Sequence, residues 1–442
     1  MNVRRIVILV LATLMLLAAV PSIAQPASTP ARAAAPPKLV IPDAAQPSPQ
    51  FNADIATEAY LELIPPAAKA KSDAYFEGGY WLILWDFLCG VVICFILLHF
   101  RWSASMRARA ERWTRFKPLQ TFLYFLQYLV VTSILGFPLA VYEGYFRERQ
   151  YGLATQTFGP WMNDQIKGLG VNLILGGLLA MLLFGVVRRL PRTWHVWGAI
   201  VTLFFLILVV LIAPVYLVPI FNKVTVLNDP TVTTPILTLA RANGIPVHDV
   251  FQIDASRQTT RMSANVSGFG NTMRITLNDN LLRRGSPEEI QAVMGHEMGH
   301  YVLNHVYKSM YFFLIVIVAG FALLRWSLGW SLNRWGERWQ IQGIGDVAIL
   351  PLVVLLISIF FFVLTPIVNT ETRTQEQEAD MYGLNASRQP DGFAQAAIHL
   401  AEYRKMSPGP VEEWIFYDHP SGRRRINNAM RWKAENLKLF EK

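Results

Sequence analysis

The most regular feature of the chain is the recurrence of long apolar runs separated by short polar segments. Six of these runs cover about residues 79–100, 120–141, 169–188, 195–218, 310–326 and 347–368. Each approaches the roughly 20 residues that carry an α-helix across a bilayer. The pattern predicts a mainly α, multi-pass membrane bundle of six transmembrane helices. An earlier apolar stretch, Ile6 to Val20, follows Arg4 and Arg5 and precedes the small residues Ser22 and Ala24. That layout predicts a signal peptide over residues 1–24, the alternative being a retained short transmembrane helix.

Between the fourth and fifth runs the period changes. Pro230 to Asn243 reads as a helix, and Val250 to Ile253 and Met273 to Leu277 read as strands, with Gly268 and Gly270 marking a turn between them. A small α+β domain is expected here. A strand edge in such a domain is a natural cradle for an extended peptide.

With 53% hydrophobic residues the composition agrees with a membrane protein, and the net charge of +9 must be read in that light. Its cations are not spread over a nucleic-acid face. They cluster at Arg101, Arg107, Arg109, Arg112, Arg115 and Lys117, at Arg188, Arg189 and Arg192, and at Arg325, Arg334 and Arg338. On alternating threading these segments, with Arg4 and Arg5, fall on one face, which positive charge marks as cytoplasmic. Residues 219–309 and 369–442 then belong on the extracytoplasmic face. Cys89 and Cys94 share one apolar run and read as small hydrophobes, so no cysteine metal site is expected.

The strongest chemical signal is His296-Glu297-Met298-Gly299-His300. Ser286 with Glu289 forms a capping box and Pro287 suits a first helical position, so a helix should begin just upstream. Residues four apart on a helix share a face, which lets His296 and His300 bind one metal ion while Glu297 reaches a water beside it. This is the layout of a zinc peptidase. The helix is expected to continue through Lys308 into the run starting near Tyr311, which would hold the metal within about 16 Å of the apolar run. On a continuous helix His305 lies about 140° away from His300 and reads as structural. Asp86, Gln127, Glu143 and Asn172, in or beside apolar runs, suit a wet interior or pairing between helices equally.

A catalytic zinc needs a third protein ligand. Leu303 and Val306 exclude the longer metzincin pattern. The segment from Thr370 to Asp380, just past the last apolar run, offers Glu371, Glu376, Glu378 and Asp380. By spacing alone all four compete, and a solvated acidic helix start fits as well.

Taken together, the chain resembles the integral-membrane zinc metallopeptidases of the type I CAAX prenyl protease kind, related to the HtpX-like heat-shock proteases. Their H-E-x-G-H is matched by His296 to His300, and their R-x-x-E-x-x-A-D by Arg373, Glu376, Ala379 and Asp380. An H-P followed by R-I is matched by His419, Pro420, Arg425 and Ile426. The likeness also takes in Tyr151-Gly152-Leu153, Thr157, Asp164, Lys167, Phe221-Asn222-Lys223 and Ser256 to Leu282, and spans about residues 75–430. It implies one Zn²⁺ per chain held by His296, His300 and Glu376, with Asp380 orienting a ligand histidine. It also implies Glu297 as the base, and His419 and Arg425 over the substrate. Without it His419 reads as a loop histidine and Arg423 to Arg425 as a solvated face. The substrate strand would be Ser263, Ala264, Asn265 and Val266, where many members instead read Asn-Ala-aromatic.

The resulting expectation is a membrane zinc metalloendopeptidase with its site on the extracytoplasmic face of a bacterial inner membrane. Its partners would be the lipid bilayer and peptide or protein substrates from the envelope, not nucleic acid. Eukaryotic members work at the cytosolic face, so the chemistry carries over and the substrate does not. The alternatives are a non-cleaving membrane chaperone or scaffold with a structural zinc, and a processing protease for lipidated or prenylated peptides. The expected domains are a signal peptide at 1–24 and a Pro/Ala-rich linker and helix at 25–78, followed by four membrane helices at 79–218. Two peptidase segments, 219–309 and 369–442, would then flank a further membrane pair at 310–368.

Overall fold

A computed structural model describes residues 37–267 and 273–440. The expected signal peptide at 1–24 and the turn at Gly268 and Gly270 lie outside the described residues, as does the first part of the linker.

Six helices are long and apolar enough to cross a membrane: Pro66–His99, Lys117–Gln150, Phe158–Arg189, Trp194–Ile212, His305–Trp335 and Val347–Ser387. They coincide with the six apolar runs, and most extend well beyond them because the flanking polar turns remain helical. Local chemistry sets several ends: Pro66 opens the first of them, and Arg188 and Arg189 close the third, where cations favour the negative end of the helix dipole. Their outward faces carry Trp81, Phe95, Ile134, Phe204, Trp326 and Val363, each more than half exposed. Water would not tolerate so continuous an apolar surface.

The basic segments meet at one end of this bundle. The Ser103 hydroxyl donates to Ala348 O at 2.7 Å, and Arg107 donates to Gln340 O at 3.0 Å and pairs with Asp346. Arg188 Nε donates to Gly345 O at 3.0 Å, and Arg101 Nε to Arg338 O at 3.2 Å. From the far end, the helix His305–Trp335 runs to these loops. At 1.5 Å per residue its length is roughly 46 Å, more than the apolar thickness of a bilayer.

Away from the basic end sits a four-stranded sheet in the order β1-β2-β4-β3, made of Val224–Val226 (β1), Val250–Ile253 (β2), Ala264–Ser267 (β3) and Arg274–Asn278 (β4). The β4 strand begins one residue later than expected and is buried at every position, parallel to β2 and antiparallel to β3. Strand β3 is left at the edge.

The helix Pro287–Val302 starts at the capping box, with Ser286 and Glu289 satisfying each other's backbone amides. It does not continue into the membrane run as the sequence suggested. It stops at Val302, Asn304 adopts a left-handed φ of 57°, and a new helix begins at His305. Asparagine is one of the few residues that accept this conformation readily.

A third core joins the N-terminal segment to the C-terminal helices. Ala45, Ala56 and Tyr60 pack with Phe393, Ile426 and Met430. At its centre Lys433 donates to both Asp391 carboxylate oxygens, at 2.6 and 2.7 Å, and to Ala45 O at 2.6 Å. The Tyr60 hydroxyl donates to the same carboxylate at 2.9 Å. Lys433→Met would strip the buried Asp391 carboxylate of its main partner. Thermal unfolding of the detergent-purified protein should show a loss of about 3–5 kcal/mol.

Candidate metal centre

Two helices build the site, and they touch through backbone. A Cβ added at Gly295 would lie 2.9 Å from Gly383 O, one at Gly299 3.1 Å from Ala379 Cα, and one at Gly383 2.6 Å from His296 N. Only small residues allow helix axes to come this close. The helix Pro287–Val302 therefore lies directly against Leu350–Ser387, and Glu376, one turn before Ala379, comes up against the two histidines.

One nitrogen of His296, one of His300 and one oxygen of Glu376 lie within 4.8 Å of one another. His296 Nε2 is 3.2 Å from His300 Nε2 and 3.2 Å from Glu376 Oε2, and His300 Nε2 is 3.5 Å from Glu376 Oε1. Tetrahedral zinc with ligand bonds of 2.0–2.2 Å separates its ligand atoms by about 3.3–3.6 Å. Glu376 Oε2 is buried without a hydrogen bond, although imidazole nitrogens of His296 and His419 lie 3.2 and 3.3 Å from it. An electrophile shared between these atoms would satisfy all of them, so the residues fit a zinc ion.

The four acids of the Thr370–Asp380 segment are thereby separated. Glu376 joins the histidines, and Asp380, fully buried, lies 2.8 Å from His296 Nδ1. Glu378 accepts from His305 and Lys308, and Glu371 accepts from Gln375. Arg425 grips Asp380 with two donors, Nε to Oδ2 at 2.9 Å and Nη2 to Oδ1 at 2.6 Å. His419 turns Nε2 to Glu376 and holds Nδ1 2.8 Å from Asp418 Oδ1, with Arg404 Nη1 3.5 Å from the same oxygen. Sequence reading missed Asp418 and Arg404. The only available signal was that Asp418 directly precedes His419.

The electrostatics of the site suit a bound cation. Burial lowers the pKa of His296, but Asp380 and Glu376 overcome it and push the imidazole up to about 10. Burial brings His300 down to about 3, helped by its neighbouring imidazoles and opposed by Glu376, which leaves it neutral and able to ligate. Burial raises Glu297 to about 7, with Glu376 adding and His296 and Arg425 opposing. Its carboxylate can therefore exchange a proton near neutrality. Asp418 is held well below the usual carboxylate range by His419 and Arg404, against burial.

Glu297, His419, Arg425, Tyr403, Ser263 and Ala264 line a cavity of about 200 Å³ beside these ligands. Asn265 and Val266 continue the same edge strand, which among the described residues pairs with β4.

Comparison with known proteins agrees with this architecture. Residues 227–433 match the model for peptidase family M48. Residues 52–223 match that for the CAAX prenyl protease N-terminal region, described as five membrane helices. Among curated proteins, the chain is 29% identical to an uncharacterized metalloprotease, YhfN, of Bacillus subtilis, over 79% of this chain and 83% of that protein. It is 28% identical to CAAX prenyl protease 1 of Saccharomyces cerevisiae, over 70% and 71% of the two chains. The crystal structure of S. mikatae Ste24p superposes with a TM-score of 0.69 at 22% identity, covering 86% of this chain and 95% of that one, which establishes a shared fold.

The glycine crossing is testable. Gly299→Val should force the helices apart, lower stability by about 1–3 kcal/mol and strip the chain of zinc, measured by elemental analysis. Gly185→Val, where an added Cβ meets nothing within 4 Å, should leave the zinc content unchanged.

Proposed function

The chain belongs to peptidase family M48 as a multi-pass membrane metalloprotease, and from that premise we propose that it is a zinc endopeptidase of a bacterial inner membrane. Its site would face the extracytoplasmic side and cleave membrane-associated or envelope proteins. The observation that carries the reading is the grouping of His296, His300 and Glu376, together with a cavity that His296, Glu376 and Glu297 line beside the edge strand β3.

In this proposal His296, His300 and Glu376 hold one zinc. When bound, zinc supplies Lewis acidity toward the scissile carbonyl and makes water a better nucleophile near neutral pH. Glu297 takes a proton from the attacking water as its oxygen bonds to the carbonyl carbon. It then passes that proton to the amide nitrogen, and the C–N bond breaks. His419, held by Asp418, and Arg425, held by Asp380, face the carbonyl oxygen and stabilise its growing negative charge. Ser263, Ala264, Asn265 and Val266 pair with the substrate main chain, which recognises peptide independently of its side chains.

A scaffold with structural zinc would call for a closed set of four protein ligands. Three ligands beside an open cavity that also holds Glu297 favour hydrolysis instead. The similarity to yeast CAAX prenyl protease 1 supports a second reading on substrate only, in which prenylated or otherwise lipidated peptides are cleaved. The extracytoplasmic assignment rests on the basic segments gathered at the opposite end of the bundle.

Glu297→Gln should retain zinc while kcat/KM on a peptide panel falls by at least about 100-fold. Equal cleavage by both proteins would remove Glu297 from the mechanism, and zinc binding without cleavage by either would favour the scaffold. For topology, reporters fused after Lys117 and after Asn304 should report opposite faces. The same face for both would refute the threading.

A further inference from the structure

The break after Val302 does more than redirect the chain. It brings His305 back against His300, with the two Nδ1 atoms 2.9 Å apart and the ring centroids at 5.0 Å. His305 is buried, and its other nitrogen lies 3.0 Å from Glu378 Oε2. Lys308, one helical turn on, donates to that same oxygen at 2.6 Å. Glu378 and Lys308 are about half exposed at the wall of a separate cavity of about 510 Å³ that Phe312 and Trp414 also line.

These contacts have a single consistent polarity. His300 presents Nε2 to His296 and Glu376, so as a metal ligand it must carry its proton on Nδ1. That proton points at His305 Nδ1, 2.9 Å away, which must then be unprotonated, and this puts the His305 proton on Nε2, facing Glu378. Two neutral imidazoles in series thus connect a carboxylate to a ligand nitrogen. The first histidine is held differently, by Asp380 directly, with Arg425 neutralising that carboxylate.

We propose that His305 and Glu378 are positioning residues for the metal site, with His305 acting as an imidazole bridge that fixes the tautomer and ring orientation of His300. The inference rests on the reading of His296, His300 and Glu376 as metal ligands. It assigns Glu378 a task distinct from that of Glu376, and it explains why Asn304 takes a left-handed conformation at this point. A continuous helix would carry His305 to the other side and leave His300 Nδ1 without its acceptor. Partners one bond removed from a metal ligand characteristically set ligand basicity and orientation.

The test is zinc affinity of the full-length, detergent-purified protein, read by competition with a chromophoric chelator, together with thermal unfolding of the metal-stripped chain. His305→Met fills the space with only a weak acceptor and no donor and should weaken zinc binding about 10–100-fold, as should Glu378→Ala. His305→Gln offers both an acceptor and a donor and should recover most of the loss. Metal-stripped His305→Met and His305→Gln should unfold at similar temperatures. Wild-type affinity in both His305→Met and Glu378→Ala would overturn the proposal. So would an affinity loss that merely tracks a loss of metal-free stability. If the wild-type chain itself bound no zinc, the metal site would fall, whereas loss of cleavage assays alone would leave this inference standing.

Discussion

Everything chemical in this protein depends on two helix backbones lying in direct contact. Gly295 and Gly299 on one helix face Ala379 and Gly383 on the other, with no room for an added methyl group at Gly295 or Gly383 and a tight fit at Gly299. That spacing lets the short Glu376 side chain reach both histidines. It also lets Asp380, one turn later on the same helix, reach the far nitrogen of His296. A wider crossing would have needed longer side chains, with more rotamers to freeze and less certain ligand positions. The glycines thus convert helix packing into coordination geometry.

The second constraint is charge. The centre gathers the buried Glu376 and Asp380 with Glu297 beside them and the half-exposed Asp418 further out, and carboxylates buried alone would be prohibitively desolvated. Arg425 compensates Asp380, and Arg404 and His419 stand against Asp418. Glu376 lies against the imidazoles of His296, His300 and His419, and Asp380 and Glu376 together push His296 up to about 10 against burial. A divalent cation held by His296, His300 and Glu376 would offset this charge and give the buried Glu376 Oε2 a partner. The cavity wall then presents Glu297, His419 and Arg425 to whatever enters.

The two ends of the molecule divide the work. At one end, the basic loops are stitched together by hydrogen bonds from Arg101, Ser103, Arg107 and Arg188 to the 338–348 connection. At the other, the sheet, the capped helix and the C-terminal helices assemble the centre, and the Lys433–Asp391 pair ties the N-terminal segment to it. The long helices keep these ends a bilayer apart. The chain crosses between them twice after the H-E-x-x-H helix, which is how segments distant in sequence meet in one site.

The six membrane helices, the capped start at Ser286 and the pair His296 and His300 were legible in the sequence, because apolar length, a capping box and i, i+4 spacing are properties of neighbouring residues. The strands at Val250 and Arg274 were legible within one residue for the same reason. The approach of Glu376, and not its acidic neighbours, to the two histidines was not. Spacing left Glu371, Glu376, Glu378 and Asp380 open, and only resemblance to a family singled one out. Asp418 and Arg404 carried almost no signal, and the helix break at Asn304 ran against the expected continuation. Each of these depends on where a helix ends or on how two helices cross. Local propensity does not encode such facts. They were decided by tertiary structure, through a left-handed asparagine that broke one helix before His305 and glycines that let another approach to backbone contact.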